Sequence, residues 1–246
     1  RVEGPGMDEM WWREFFDEHY EHRFLRQVSD LEVDFLVEHL QVAVPGRIFD
    51  QCCGVGRVSA ALRQRGYHCL GVDQSSHYVQ IARRSGLEVV QADGRTFVTT
   101  QPCDGAFNFF SSFGFFHSDS QNFLLLQCAA RSLRRGGRFV LDFTNTLRIL
   151  DEFQPVMVQS LRDGREVRRL SEIFWEEGMI GQRWQFFDAG GQLQMERHTR
   201  LRLYLPEQLG QLLRAAGLQP LKLLGGYHHQ EFDSSAPRMI WVSQRA

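Results

Sequence analysis

Three aspartates, Asp50, Asp73 and Asp93, each follow a short apolar run, and the stretch after the first reads Gln51-Cys52-Cys53-Gly54-Val55-Gly56-Arg57. Glycines in such a turn let backbone approach a ligand closely, and a helix opening there presents unpaired N–H groups. Asp73 stands seventeen positions beyond Gly56. From there a carboxylate at the end of the second strand of a doubly wound sheet reaches the hydroxyls of a ribose. Asp93, with Gly94 after it, closes a third strand and is placed to accept from an exocyclic amine such as that of adenine. The pattern Gly54-x-Gly56-x-x-Ser59 also passes for a degenerate dinucleotide fingerprint. Asp50 weighs against it, because a carboxylate beside the loop suits an ammonium better than a pyrophosphate.

A second group lies downstream in Phe109-Phe110-Ser111-Ser112-Phe113-Gly114-Phe115-Phe116-His117. Eight of the twenty phenylalanines fall between positions 97 and 123, which predicts a dry aromatic pocket at the sheet edge where such folds bind ligands. A cation over an aromatic face gains about 0.5–2 kcal/mol; roughly half of these rings are expected to be ordinary core. His117 is the first candidate for a general base, since its ordinary pKa suits proton removal near neutrality. An exposed residue ahead of the next helix is the competing reading. Ser112, Phe113 and Phe116 are expected to touch substrate, together with Trp12 and Phe16 near the N-terminus and Tyr227 and His228 before the last strand. Arg202 and Tyr204 share the polar side of an alternating strand; there an arginine would select a carboxylate or phosphate if that side faces the cavity.

These groups need a scaffold that brings strand ends together. Residues 8–24 and 30–44 read as two helices, the second capped at Ser29-Asp30. Strands at residues 47–51, 67–72, 87–91, 105–110 and 138–143 then alternate with helices, which predicts a parallel sheet covered on both faces. Residues 166–175, 179–187 and 192–205 read as three antiparallel strands, followed by a helix from Pro206 and strands at 218–224 and 238–243. The predicted divisions are a non-native leader at 1–6 ahead of Met7, a helical lid at 7–45, a binding core at 46–150, an antiparallel insertion at 151–205, and completion of the core sheet at 206–246.

The composition is that of an ordinary globular protein, with 43% apolar and 24% charged residues and a formal charge of -2. That balance makes a nucleic-acid partner unexpected. No run approaches the roughly 18–20 apolar residues of a membrane helix, and no apolar leader is evident. Five cysteines without a CxxC pair make a poor disulfide framework. A cytoplasmic protein, monomeric or homodimeric and without a metal site, is expected.

Taken together, these residues resemble class I S-adenosylmethionine-dependent methyltransferases, and in particular a bacterial small-molecule branch. That branch carries a Phe-Asp-x-x-Tyr segment, an Asp-x-Cys-Cys-Gly-x-Gly-Arg loop and a Ser-Phe-Gly-Tyr-Phe element. Here they stand as Phe16-Asp17-Glu18-His19-Tyr20, Asp50 to Arg57, and Ser112-Phe113-Gly114-Phe115-Phe116. The resemblance implies an α/β fold: a Rossmann-like doubly wound seven-stranded methyltransferase sheet with an N-terminal helical lid and a small antiparallel β insertion. It further implies that Asp50, Gly54 and Gly56 hold the methionine part of the cofactor, Asp73 the ribose, and Asp93 and Gly94 the adenine, with Cys52 and Gln74 also at the cofactor. Tyr20 would fold over the site, and backbone at Asn108 and Phe109 would touch the sulfonium. In this sequence Cys52 replaces the usual first glycine, and Phe115 replaces a tyrosine, removing a hydroxyl. The expected activity is in-line methyl transfer from S-adenosylmethionine to an N or O atom of a small-molecule acceptor. RNA or protein methylation, nicotinamide-dependent oxidoreduction and a catalytically silent cofactor-binding subunit remain the alternatives.

Overall fold

The computed structural model describes residues 28–161 and 163–246. The first expected helix, with Trp12, Phe16 and Tyr20, lies outside the described residues. Helix α1 (Asp30–Leu40) begins at a capping box in which Ser29 and Glu32 satisfy each other's backbone N–H groups. After it come β1 (Arg47–Gln51), α2 (Arg57–Gln64), β2 (His68–Asp73), α3 (Ser76–Arg84), β3 (Glu88–Gln91), β4 (Cys103–Asn108), α4 (Asp119–Ser132) and β5 (Leu133–Thr144). The last of these starts earlier than residue 138: Leu133 already pairs with Cys103, and the register shifts before Arg138 meets Gly105.

The chain then forms α5 (Thr146–Asp151), β6 (Val156–Ser160), β7 (Glu166–Phe174), β8 (Met179–Phe187), β9 (Leu193–Arg202), α6 (Pro206–Ala215), β10 (Leu218–Leu224) and β11 (Arg238–Arg245). Seven strands make one sheet in the order β10-β11-β5-β4-β1-β2-β3. Strands β1 to β5 run parallel, while β11 is antiparallel to β5. The fold is therefore mixed α/β, with a doubly wound central sheet.

Alternation along the strands explains how both faces are covered. Ile48, Phe107, Val140 and Ile240 point to one side and pack on α1 through Val33, Phe35 and Leu36. Phe49, Ala106, Phe139, Leu141 and Met239 point to the other and meet α4 and α6 through Leu125, Leu126, Ala129, Leu209 and Leu213. The parallel register brings the C-terminal ends of β1, β2 and β4 to a single edge, where Asp50, Asp73 and Asn108 emerge.

Strands β6 to β9 form a separate antiparallel sheet. Three strands were expected there and four exist. All five residues of β6 are exposed, so its edge position leaves no alternation of burial for a sequence pattern to record. Among the described residues no helix is long and apolar enough to cross a membrane, and all five cysteines are free.

Candidate functional site

A cavity of about 310 Å³ opens at the C-terminal edge of the central sheet. Its floor is the turn after β1, where every second residue holds left-handed backbone: Cys52 (φ 62°), Gly54 (φ 56°) and Gly56 (φ 78°). Cys52 thus adopts a conformation that glycine would take without strain. The Cys53 N–H donates to the Val72 carbonyl at 3.0 Å, and the Gly54 N–H donates to Asp73 Oδ2 at 2.8 Å. Asp73 also accepts from the Ser75 N–H at 2.9 Å. One carboxylate therefore organises the ends of both β1 and β2 while it lines the cavity.

Asp50 is 3% exposed and accepts a 2.7 Å hydrogen bond from the Ser59 hydroxyl. Burial pushes its carboxyl up to about 7, the Ser59 bond pulls it down, and the nearby Asp73 charge pushes it up again. Burial also raises Asp73, against the pull of its backbone donors. Burial pushes Asp93 upward as well, but the Arg95 guanidinium and N–H outweigh it and hold that carboxyl below its ordinary value. Arg95 reaches Asp93 through Nε at 2.9 Å and Nη2 at 2.6 Å. Burial and the surrounding aspartates push the Cys52 and Cys53 thiols well up, so both stay protonated and are poor nucleophiles.

Aromatic rings form the wall beyond this acidic floor. Phe109, Phe110, Phe115 and Phe116 line it with Ser111 and Ser112. Two ring faces already carry cations, Arg57 over Phe110 at 5.0 Å and Arg95 over Phe116 at 4.2 Å. The insertion supplies the roof: Gln182 and Trp184 from β8, Thr199 and Leu201 from β9. A backbone bond from the Arg202 N–H to the Gly114 carbonyl, 2.8 Å long, ties that roof to the aromatic segment.

Behind the wall, Asp142 is fully buried. It accepts from Phe110 N–H at 2.8 Å, the Tyr227 hydroxyl at 2.8 Å and Arg238 Nε at 2.7 Å. Arg238 also donates to Ser111 Oγ at 2.7 Å. Phe110 and Ser111 both hold φ 59°, and this network secures that left-handed pair at the cavity edge.

Of the residues expected at the cofactor, Asp50, Cys52, Gly54, Asp73, Gln74, Asp93, Gly94 and Phe109 line the cavity. Gly56 instead occupies the N-cap of α2, where an added Cβ would lie 2.4 Å from Leu87 Cδ1. Asn108 is fully buried, its Nδ2 donating to Gln51 Oε1 at 3.3 Å. It therefore braces β1 from beneath.

Of the residues expected at the substrate, Ser112 and Phe116 line the cavity. Phe113 is fully buried against Phe143 and Tyr204, because the segment's turn alternates its rings between cavity and core. Arg202 and Tyr204 lie elsewhere: Arg202 Nε and the Tyr204 hydroxyl both donate to Asp119 Oδ1 at 2.8 Å. Arg202 at the end of β9 and Tyr204 beyond it face the start of α4, Arg200 pairs with Glu177, and Thr199 and Leu201 face the cavity. Tyr227 serves the Asp142 network, and His228 is exposed on the β10–β11 loop. His117 is exposed and stands outside the cavity lining, because the chain turns outward there to let Ser118 cap α4.

Trp184, Gln182 and Tyr78 are lining residues that sequence reasoning missed; it also missed the pairing of the buried Ser59 with Asp50. Ser59 carried a signal, being nine positions after Asp50 on the first turns of α2; Trp184 carried none that distinguished it from the rest of an alternating strand.

Comparison with known proteins bears on this arrangement. The family model described as a methyltransferase domain matches residues 16–223. A stretch of 79 residues is 35% identical to the ubiquinone biosynthesis O-methyltransferase of Hahella chejuensis, covering 32% of this chain and 31% of that protein; the chain thus matches about a third of that relative's length. The structure of the CcbJ methyltransferase from Streptomyces caelestis superposes with a TM-score of 0.83 at 17% identity, over 96% of this chain and 98% of that one. The sugar N-methyltransferase KedS8 from Streptoalloteichus sp superposes with a TM-score of 0.72 at 22% identity, over 100% and 96% respectively. At these identities the two superpositions establish a common fold.

Proposed function

The chain belongs to the methyltransferase domain family, an S-adenosylmethionine-dependent class, and from that premise we propose that it methylates an N or O atom of a small-molecule acceptor held between the aromatic wall and the insertion roof. The cavity's donor set fits the methyl donor. Two carboxylates with raised pKa values, the buried Asp50 and the half-buried Asp73, suit an ammonium and a ribose diol. Asp93 and Gly94, also in the cavity lining, would hold the adenine. When bound, S-adenosylmethionine supplies a methyl carbon activated by a sulfonium.

The protein's own task is alignment and exclusion of water. Ionised Asp50 holds the ammonium end, with Ser59 orienting the carboxylate. Asp73 accepts from the ribose hydroxyls while it keeps the Gly54 amide in place. Phe109 and Phe110 line the edge between these carboxylates and the acceptor space, and their faces favour positive charge.

The observation that carries the small-molecule reading is the roof. Trp184, Gln182, Thr199 and Leu201 cover the cavity from a second sheet, which leaves a chamber for a metabolite rather than an open groove for a polymer. Similar proteins include a methyltransferase of ubiquinone biosynthesis and a sugar N-methyltransferase, which supports a small-molecule acceptor.

The test is incubation with methyl-labelled S-adenosylmethionine and a metabolite extract. Label is expected in small molecules, and it should disappear with Asp73→Ala. Trp184→Ala should raise the acceptor KM while the affinity for S-adenosylhomocysteine holds. Label confined to RNA or protein, or no transfer at all, overturns the reading.

A further inference from the structure

Away from the cavity, the C-terminal turn of α1 meets the loop between β10 and β11. His39 Nε2 lies 3.2 Å from His229 Nδ1, and His229 Nε2 lies 3.5 Å from Glu38 Oε2. Ligand atoms of Glu38, His39 and His229 all fall within 4.8 Å of one another. Two nitrogens bound to one zinc ion at about 2.0–2.1 Å in a tetrahedral site stand about 3.3 Å apart, close to the 3.2 Å between His39 Nε2 and His229 Nδ1.

We propose that Glu38, His39 and His229 form a binding site for a divalent transition-metal ion, Zn2+ being the best match. Two imidazoles and one carboxylate are a ligand set that zinc takes readily, with water in the fourth position. The side chains of His229 and Glu38 are 43% and 61% exposed, so the open position faces solvent.

The rings are held in place before any ion arrives. Phe35 packs edge-on against His39 at 4.4 Å and lies 5.3 Å from the His229 ring. His229 holds a left-handed φ of 60°, a conformation uncommon outside glycine, and its ring meets His39 of α1. Burial lowers His39 to about 4, with Glu38 opposing and Lys222, His229 and Arg138 adding to the fall. Without an ion, His39 Nε2 and His229 Nδ1 share a hydrogen bond, which a bound ion would replace. Lys222 and Arg138 also oppose a cation, which points to modest rather than extreme affinity.

A bound ion would join α1 to the loop that carries Tyr227, whose hydroxyl reaches Asp142 behind the cavity wall. The expected effect is a brace between an N-terminal helix and the last hairpin, independent of methyl transfer.

The experiment uses the full chain after dialysis against a chelator. Zn2+ titration by calorimetry should give one saturable site, and Co2+ in its place should give the intense visible bands of four-coordinate cobalt. The melting temperature should rise by about 5 °C or more at a hundredfold excess over Kd. Glu38→Gln and His229→Ala change exposed side chains, and retained S-adenosylhomocysteine binding will verify that each folds. Each should weaken Zn2+ binding by at least about tenfold. The absence of saturable binding, or a loss below tenfold in either variant, overturns the site.

Discussion

The Ser59 hydroxyl donates to Asp50 Oδ2 at 2.7 Å, in a setting whose burial pushes the Asp50 pKa up to about 7. This pair sets how the site responds to pH. The folded pKa lies above the ordinary value of 3.8, so the protonated form favours folding. That contribution is complete below the ordinary value and is lost as pH rises through about 7. An ammonium ligand needs the ionised form. Binding of S-adenosylhomocysteine should therefore release close to one proton at about pH 6 and almost none at about pH 8.5. Calorimetry in buffers of different ionisation enthalpy measures that number directly. Ser59→Ala should raise the Asp50 pKa further and weaken binding most at low pH; equal proton release at both pH values would remove Asp50 from this role.

Gly56 acts through conformation. With φ at 78° and Leu87 Cδ1 2.4 Å from the place of a Cβ, Gly56→Ala combines left-handed strain of about 1–2 kcal/mol with crowding of about 1 kcal/mol. Thermal melting should fall by about 5–10 °C. A melting temperature equal to the parent's would show that the loop accommodates a side chain freely.

Asp119 joins the insertion to the core by receiving Arg202 and Tyr204 together. Asp119→Ala leaves the buried Tyr204 hydroxyl without its acceptor, a loss of about 1 kcal/mol or more. Because β9 forms part of the roof, the acceptor KM should rise while cofactor affinity holds. Steady-state kinetics with calorimetry separates the two, and equal effects on both ligands would place the clamp's influence elsewhere.

His117→Ala tests the aromatic segment from the opposite side. An exposed residue outside the lining should change turnover by no more than about twofold, the scale of an ordinary surface substitution. A loss of a hundredfold in kcat would return His117 to the chemistry and require the segment to turn inward during catalysis.

Much of the fold was legible in the sequence because its signals are local. Ser29 and Glu32 announce a helix start, Gly54 and Gly56 announce a turn, and apolar runs closed by Asp50 and Asp73 announce parallel strands. Each carboxylate's strand-end position followed from that pattern, and Asp50, Asp73 and Asp93 all line the cavity. Strand β6 was not legible, since an edge strand with every residue exposed leaves no pattern.

The tertiary structure decided which side of an element meets the site. On β9 the alternation of Thr199 and Leu201 with Arg202 and Tyr204 is plain in the sequence, yet only packing determines which set faces the cavity. The exposed Asp119 carboxylate at the start of α4 receives Arg202 and Tyr204, while Thr199 and Leu201 become part of the roof. The same holds for the phenylalanines: Phe113 fills the core while Phe115 and Phe116 line the cavity, a choice made by backbone turns at Gly114. The proximity of His39 and His229 belongs to the tertiary level too. Residues 190 positions apart meet because the sheet order places the last hairpin beside β5 and under α1. Residue type and spacing thus determined the kind of chemistry available, and three-dimensional packing determined which side chains are free to perform it.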